Sequence, residues 1–443
     1  MKYSRYRLST EHIFLSVICC MGMLRGTAQI SHAAAADLTG FKALKGAQVG
    51  ICILDLTSGK YIYQYQGDKY FTPASNTKIF TLFTALHILG DSTTGIRYQS
   101  SGDTLYFQGT GDPSLLHPDY PDQPVFDFLK HAKNKVLVYS RPVNENQVYG
   151  PGWSWDDYNE DYQPERSSLP IYGNVIRFSV ANHGLIDLPD YFQQTDSIAE
   201  DDSLTTHSFR IQRARFENRF FYHISEDQDT NITEVPFITY GGSSAAAMLQ
   251  DTLTRQVIID PLPVTWSVAG RISNVPVDSL YSHMMYRSDN FFAEQTLMMC
   301  SLLKFDTISS GEMIHFMLDS MLAGLPDKPV WVDGSGLSRY NLFTPADLVN
   351  VLQRLISAYP RDRLFHIFPA GGEGTLDNRF LSMAGYIHAK TGSLNNNAAL
   401  SGFLVTRKGR TLVFSVLVGN YTIPGFVVRK QVEKFIETVW KLE

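Results

Sequence analysis

Apolar positions switch between two periods along this chain, and the switches mark its elements. Residues 47–56 (Ala-Gln-Val-Gly-Ile-Cys-Ile-Leu-Asp-Leu) are almost continuously apolar and read as a buried strand. Thr57-Ser58-Gly59-Lys60 makes a turn, and residues 61–65 return as a second strand. After Phe71-Thr72-Pro73-Ala74, the positions Ile79, Phe80, Leu82, Phe83 and Leu86 keep a helical period, and Gly90 can end the helix. Ser75 then falls in the first turn of that helix. Helical patterns recur over residues 278–287 and 291–303. Near the end, residues 386–391, 398–406 and 410–418 read as three consecutive strands, and residues 427–441 as a closing helix. Two strands at the front and three at the back fit one antiparallel sheet built from both ends of the chain and flanked by helices. The expected fold class is α/β (α+β).

Between residues 92 and 271 the texture differs. Strand-like pieces are short and turn residues frequent, as in Asp112-Pro113-Ser114, Gly150-Pro151-Gly152 and Gly241-Gly242. This stretch reads as an inserted, mostly β region with one late helix over residues 244–255. The expected organisation is therefore a signal peptide and linker over 1–36, a discontinuous main domain over 37–91 and 272–443, and an inserted accessory region over 92–271. Within the insertion, Trp153-Ser154-Trp155-Asp156-Asp157-Tyr158 stands out. A packed loop core is the favoured reading there, ahead of a ligand box.

A chain of 443 residues with 44% hydrophobic and 12% aromatic content can build a sizeable core. Its net charge of −6, without a Lys/Arg stripe, points away from nucleic acid. The amino terminus resembles an export signal: Lys2, Arg5 and Arg7 precede an apolar stretch over residues 13–24, and Gly26-Thr27-Ala28 offers small residues for cleavage. Cys19-Cys20 makes a poor lipobox. The expected location is periplasmic, with membrane attachment left open. The mature chain keeps Cys52 and Cys300, both in apolar runs, which read as buried free thiols. No Cys/His set has metal-ligand spacing, so neither a metal nor another cofactor is expected.

Three short motifs carry the chemistry: Ser75-Asn76-Thr77-Lys78, Ser288-Asp289-Asn290 and Lys390-Thr391-Gly392. Each alone is close to noise, and Ser393-Leu394-Asn395 is a second S-x-N with no evident role. In this order they supply the parts of a penicillin-recognising acyl transferase. Ser75 is the candidate nucleophile and Lys78, three residues on along a helix, its base. A free lysine is protonated at neutral pH, so Lys78 needs burial and a second cation, for which Lys390 is placed, to lower its pKa. Ser288 can relay a proton to the leaving nitrogen. Asn290 can hold Lys78 and a substrate amide, while Asp289 reads as a helix cap. Lys390 and Thr391 can hold a substrate carboxylate, Gly392 leaves room for a substrate along the strand, and the N–H groups of Ser75 and Ser393 can form an oxyanion hole.

These residues resemble the class C low-molecular-mass penicillin-binding proteins, the D-Ala-D-Ala carboxypeptidases/endopeptidases of the penicillin-binding protein 4 type. Longer strings strengthen the resemblance: Gly109 to Leu115, Asp333-Gly334-Ser335-Gly336-Leu337-Ser338-Arg339, Gly371 to Leu376, and Lys390 to Gly402. The long stretch between Ser75 and Ser288 fits this subclass. The resemblance implies a serine β-lactamase/transpeptidase-like domain, acylation of Ser75 by peptidoglycan stem peptides, and inhibition by β-lactam antibiotics. Ser393 stands where the family usually has Thr. Glu165-Arg166-Ser167-Ser168-Leu169 resembles only superficially the deacylating glutamate loop of class A β-lactamases. Two rivals remain: a β-lactamase or esterase on the same fold, which releases its acyl group fast, and a catalytically idle wall-binding homologue.

Overall fold

The sheet forms around a strand that has no solvent face. Gln48–Asp55 is buried at every position after Gln48, which explains its nearly continuous apolar sequence. Its two faces enter different cores. Val49, Ile51 and Ile53 pack with Val428, Val432, Phe435, Ile436 and Val439 of the closing helix Gly425–Leu442, while Cys52 and Leu54 join the core holding helix Lys78–Ile88. Burying one such aliphatic side chain stabilises by roughly 1.5–3 kcal/mol, so both helices are clamped onto the sheet by many contacts of this size. The computed structural model describes residues 37–142, 147–181, 184–201, 203–204, 209–224, 232–260, 266 and 270–443. The signal-peptide reading of residues 1–36 lies outside these.

Across the sheet the strands run Ile387–Leu394, Asn397–Val405, Thr411–Gly419, Gln48–Asp55 and Lys60–Tyr65, every neighbour antiparallel. The two ends of the chain join where Gln48 lies opposite Gly419 and Asp55 opposite Leu412. Ile387–Leu394 is an edge strand. Its start is bridged by Ala370 opposite His388, and beyond that point no strand pairs its outer side among the described residues. Helices cover both faces, giving the α/β architecture expected from the sequence. Cys52 and Cys300 are free and buried, and burial pushes the Cys52 thiol up to about 12.

Residues 92–276 carry their own core, which includes Ile96, Phe107, Tyr139, Phe178, Phe220 and Leu249. A mixed five-stranded sheet runs Val257–Asp260, Val136–Ser140, Thr104–Gly109, Ser92–Ser101 and Gly270–Pro276, beside two three-stranded sheets. The late helix is Ser243–Leu253. A further helix, Pro124–His131, departs from the sequence reading. Only Val125 and Leu129 of it are buried, a single i, i+4 pair too short to establish a period. The insertion is fastened to helix Asn290–Phe305: the Gln295 side-chain amide donates to Gly111 O at 2.8 Å and Ser167 O at 2.7 Å, and Ser167 N donates to Gln295 Oε1 at 3.2 Å.

Candidate active site

Ser75 lies in a tight turn, Ala74–Thr77, that runs directly into helix Lys78–Ile88. It therefore precedes the α-helix instead of sitting in its first full turn. The turn is locked from two sides. Asn76 Nδ2 donates to Lys390 O at 2.9 Å, tying it to the edge strand. On the other side a Cβ on Gly336 (φ +84°) would stand 1.9 Å from Ala74 O, so only glycine lets the loop Asp333–Leu337 come this close.

Lys78 is fully buried, and its Nζ has three polar neighbours: Asn290 Oδ1 at 2.7 Å, Ser335 O at 2.8 Å and Ser75 Oγ at 3.0 Å. Asn290 is oriented by its own Nδ2, which donates to Tyr162 O at 3.0 Å. The Ser335 carbonyl and Asn290 Oδ1 can only accept, whereas the Ser75 hydroxyl can also donate. A neutral amine has two N–H groups and one lone pair, and this arrangement satisfies all three. Burial lowers the Lys78 pKa from 10.5 to about 8, against the opposing pull of Asp289, Asp333 and Glu294. The main cause is thus desolvation, where the sequence reading gave a share to a second cation.

Lys390 is also fully buried, and donates to Ser288 Oγ at 2.8 Å and Thr391 O at 2.9 Å. Its pKa falls well below 10.5, first through burial and then through the charge of Lys78. The repulsion between the two lysines is mutual, so it favours a neutral amine at one of them. Ser288 adopts φ +59°, a conformation that costs a non-glycine residue and fixes its hydroxyl toward Lys390. Asp289 caps helix Asn290–Phe305 by accepting from Phe292 N at 2.8 Å.

Ser75, Ser288, Asn290 and Ser393 line one cleft of about 1190 Å³, with Tyr162, Arg339, Asn395 and Arg429 around them. Lys78 and Lys390 lie buried behind the first three of these. Ser393 is exposed on the edge strand and Thr391 is half-buried. Gly392 faces a different neighbour from the one expected. A Cβ there would meet Pro73 O at 2.8 Å and Ser75 N at 3.1 Å, so glycine is required by the nucleophile turn itself.

Several site residues carry no signal in the three triplets. The fully buried Asp333 accepts from Gly336 N (2.8 Å), Ser338 N (2.7 Å), Asn341 Nδ2 (2.7 Å) and Trp153 Nε1 (2.9 Å), which holds the loop that presents Ser335 O to Lys78. Glu294 accepts from Ser335 N at 2.8 Å and pairs with Arg166 at 3.2 Å. It stands four residues after Asn290, on the same helix face, a spacing that could have drawn attention to it. Glu165 is committed elsewhere: its Oε2 accepts from Thr239 N at 2.8 Å and Thr239 Oγ1 at 2.7 Å.

The fold also gathers His117, Asp119 and His283 with ligand atoms within 4.8 Å of one another, a grouping that sequence spacing does not reveal. Arg177 and Arg287 contact Asp119 at 3.0 and 2.9 Å, supplying the positive charge that a bound cation would bring. His283 Nε2 lies 3.3 Å from Asp289 Oδ2, so this network braces the Ser288–Asn290 loop.

The D-Ala-D-Ala carboxypeptidase 3 (S13) family matches residues 31–438. A D-alanyl-D-alanine carboxypeptidase of Actinomadura sp. (strain R39) is 24% identical, the match covering 86% of this chain and 80% of that protein. The D-alanyl-D-alanine carboxypeptidase DacB of Haemophilus influenzae is also 24% identical over 87% of this chain and 88% of the relative. The crystal structure of penicillin binding protein 4 (dacB) from Haemophilus influenzae superposes with a TM-score of 0.72 at 21% identity, covering 93% of this chain and 98% of that one.

Proposed function

Because the chain belongs to the D-Ala-D-Ala carboxypeptidase 3 (S13) family of serine-type D,D-peptidases, we propose that Ser75 is its nucleophile and peptidoglycan stem peptides its substrate. The observation that carries this is the fully buried Lys78 amine 3.0 Å from Ser75 Oγ, with partners suited to its neutral form. Lys78 takes the hydroxyl proton as Ser75 Oγ bonds to the carbonyl carbon of the penultimate D-alanine. The N–H groups of Ser75 and Ser393 receive the developing oxyanion, and losing one such donor costs about 3–4 kcal/mol in the barrier. The C–N bond then breaks, and the proton reaches the leaving amine through Ser288, whose hydroxyl Lys390 holds. Water hydrolyses the resulting ester.

The outer side of the edge strand beyond Ala389, which has no strand partner among the described residues, suits an extended peptide laid alongside it. A substrate carboxylate near Lys390 and Thr391 would favour the protonated form of Lys390, offsetting the burial that depresses its pKa. The leaving group is a terminal D-alanine or, in an endopeptidase reaction, the amine of a cross-linked neighbour. A β-lactam is a cyclic amide whose carbonyl Ser75 attacks in the same way, leaving a persistent ester. One Haemophilus influenzae relative has been crystallised complexed with a β-lactam, which supports this part of the reading. Residues 37–91 and 272–443 act as the catalytic domain, 92–271 as an accessory region, and 1–36 as an export signal to the periplasm.

The test is chromatography after incubation with a pentapeptide ending in D-Ala-D-Ala and with a cross-linked muropeptide dimer. Released D-alanine, or monomer from the dimer, with neither product from Ser75→Ala, is the expected result. Product formation retained in Ser75→Ala would overturn the assignment.

A further inference from the structure

The Trp153–Tyr158 segment is not the packed loop core that its sequence favours, because its two tryptophans part company. Trp153 is a strut, donating to Asp333 beneath the active site at 2.9 Å. Trp155 is 66% exposed. Beside it lie Phe216, 82% exposed, and Tyr240, 49% exposed. Large apolar rings left in water as a group mark a binding surface more often than rings exposed singly. The Arg215 guanidinium lies 3.7 Å from the Trp155 ring centroid and within 5.6 Å of those of Tyr158 and Phe216, so cation–π contacts hold the rings in place.

Together with Gln163 and Glu165, these rings form a groove of about 490 Å³. It adjoins the catalytic cleft, since Ser154 lines both. A second observation points to a ligand. Gln163 is only 1% exposed and its Nε2 donates to Ser154 O at 2.8 Å, yet its Oε1 has no hydrogen-bond partner among the described residues. A buried carbonyl oxygen without a donor is costly unless something supplies one.

We propose that this groove binds the sugar backbone of peptidoglycan while the attached stem peptide occupies the cleft at Ser75. The inference rests on the peptidoglycan reading above. Glu165 is engaged by Thr239, while the Arg215 guanidinium lies over the rings and keeps its positive charge. The groove therefore offers ring faces, one cation and one neutral acceptor. Pyranose C–H faces stack on such rings, and a sugar hydroxyl or acetamido N–H can donate to Gln163 Oε1 once that buried side chain turns into the groove it lines.

The test uses the full chain carrying Trp155→Ala and Phe216→Ala, both at exposed positions. Its rate on polymeric peptidoglycan is expected to fall about tenfold or more, the scale of losing an aromatic anchor. Its rates on a soluble D-Ala-D-Ala pentapeptide and with benzylpenicillin are expected to stay within about twofold of wild type. Equal losses on polymer and peptide, or no loss on either, would overturn the inference. Peptide-free glycan strands should quench tryptophan fluorescence of the wild type and not of the variant. That readout does not depend on acylation, so it separates failure of this inference from failure of the catalytic reading. Binding of free stem peptide in place of glycan would also overturn it.

Discussion

The lysine pocket behind Ser75 and the aromatic groove beside it treat polar groups in opposite ways. In the pocket, Lys78, Asn290 and Asp333 are each held by two or more hydrogen bonds, with at least one backbone group among the partners of each. In the groove, rings stand in water and Gln163 Oε1 is left without a partner. A base must be held within a few tenths of an ångström of the proton it takes, and its surroundings must be dry enough to keep it neutral. A surface that grips a polymer needs exposed area and vacant hydrogen-bonding capacity. With the roles proposed for them, rigidity collects where bonds are made, and exposure where substrate is gathered.

The sharpest way to break this contrast is Lys78→Ala. Acylation is expected to fall by about 10³-fold or more, at the upper end of what one general base contributes, measured as the rate of penicillin adduct formation. In the wild type the same rate should depend on pH with a definite sign. Only neutral Lys78 can accept the proton, and its pKa is lowered to about 8. The rate should therefore rise with pH and level off above about 8; a rate flat from pH 6 to 9 would remove Lys78 from the role of base.

Next in size is Gly336→Ala. A Cβ 1.9 Å from Ala74 O forces the nucleophile turn and the Asp333–Leu337 loop apart, and φ +84° is itself unfavourable for alanine. The expected outcome is a loss of about 3 kcal/mol or more of stability in urea unfolding, with acylation slowed in the fraction that folds. Arg166→Met leaves Glu294 buried without its partner. Breaking such a pair costs about 3–5 kcal/mol, less here to the extent that Glu294, whose pKa burial and Asp333 already raise, takes up a proton. The variant should lose stability as pH rises above the ordinary carboxylate range, where that proton is harder to keep.

The smallest effect is expected from Glu165→Gln. Its carboxylate holds Thr239 and does not face Ser75, so deacylation of a penicillin adduct should proceed at the wild-type rate. A deacylation defect would make this glutamate a functional counterpart of the class A β-lactamase residue. Stability should fall by about 1–2 kcal/mol as charge-assisted hydrogen bonds weaken.

Strands buried on both faces were the most legible part of the fold, because Gln48–Asp55, Asn397–Val405 and Thr411–Gly419 must be apolar almost throughout. Helix Pro345–Ala358 was passed over although Thr344 and Asp347 form a capping box with Pro345 at the first position. In the site, residue types that carry reactive groups could be read, and the fold brings Ser75, Lys78, Ser288, Asn290 and Lys390 to one place. The carbonyls of Ser335 and Tyr162 could not be read, since every residue has one and only the fold selects which is aimed. The sequence marks Gly392 as a residue needing space, and within the chain the crowding comes from Pro73 and Ser75, which only the fold brings beside it. The two tryptophans at 153 and 155 look alike in sequence and differ because one side chain reaches Asp333 and the other does not.

The most direct test of the central claim, that Ser75 is the nucleophile of a D,D-peptidase, is the intact-protein mass during a time course with benzylpenicillin, in wild type and Ser75→Ala. A long-lived adduct of one penicillin on the wild type and none on Ser75→Ala is the predicted result. An adduct that survives in Ser75→Ala, or drug consumed through an adduct that never accumulates, would contradict it.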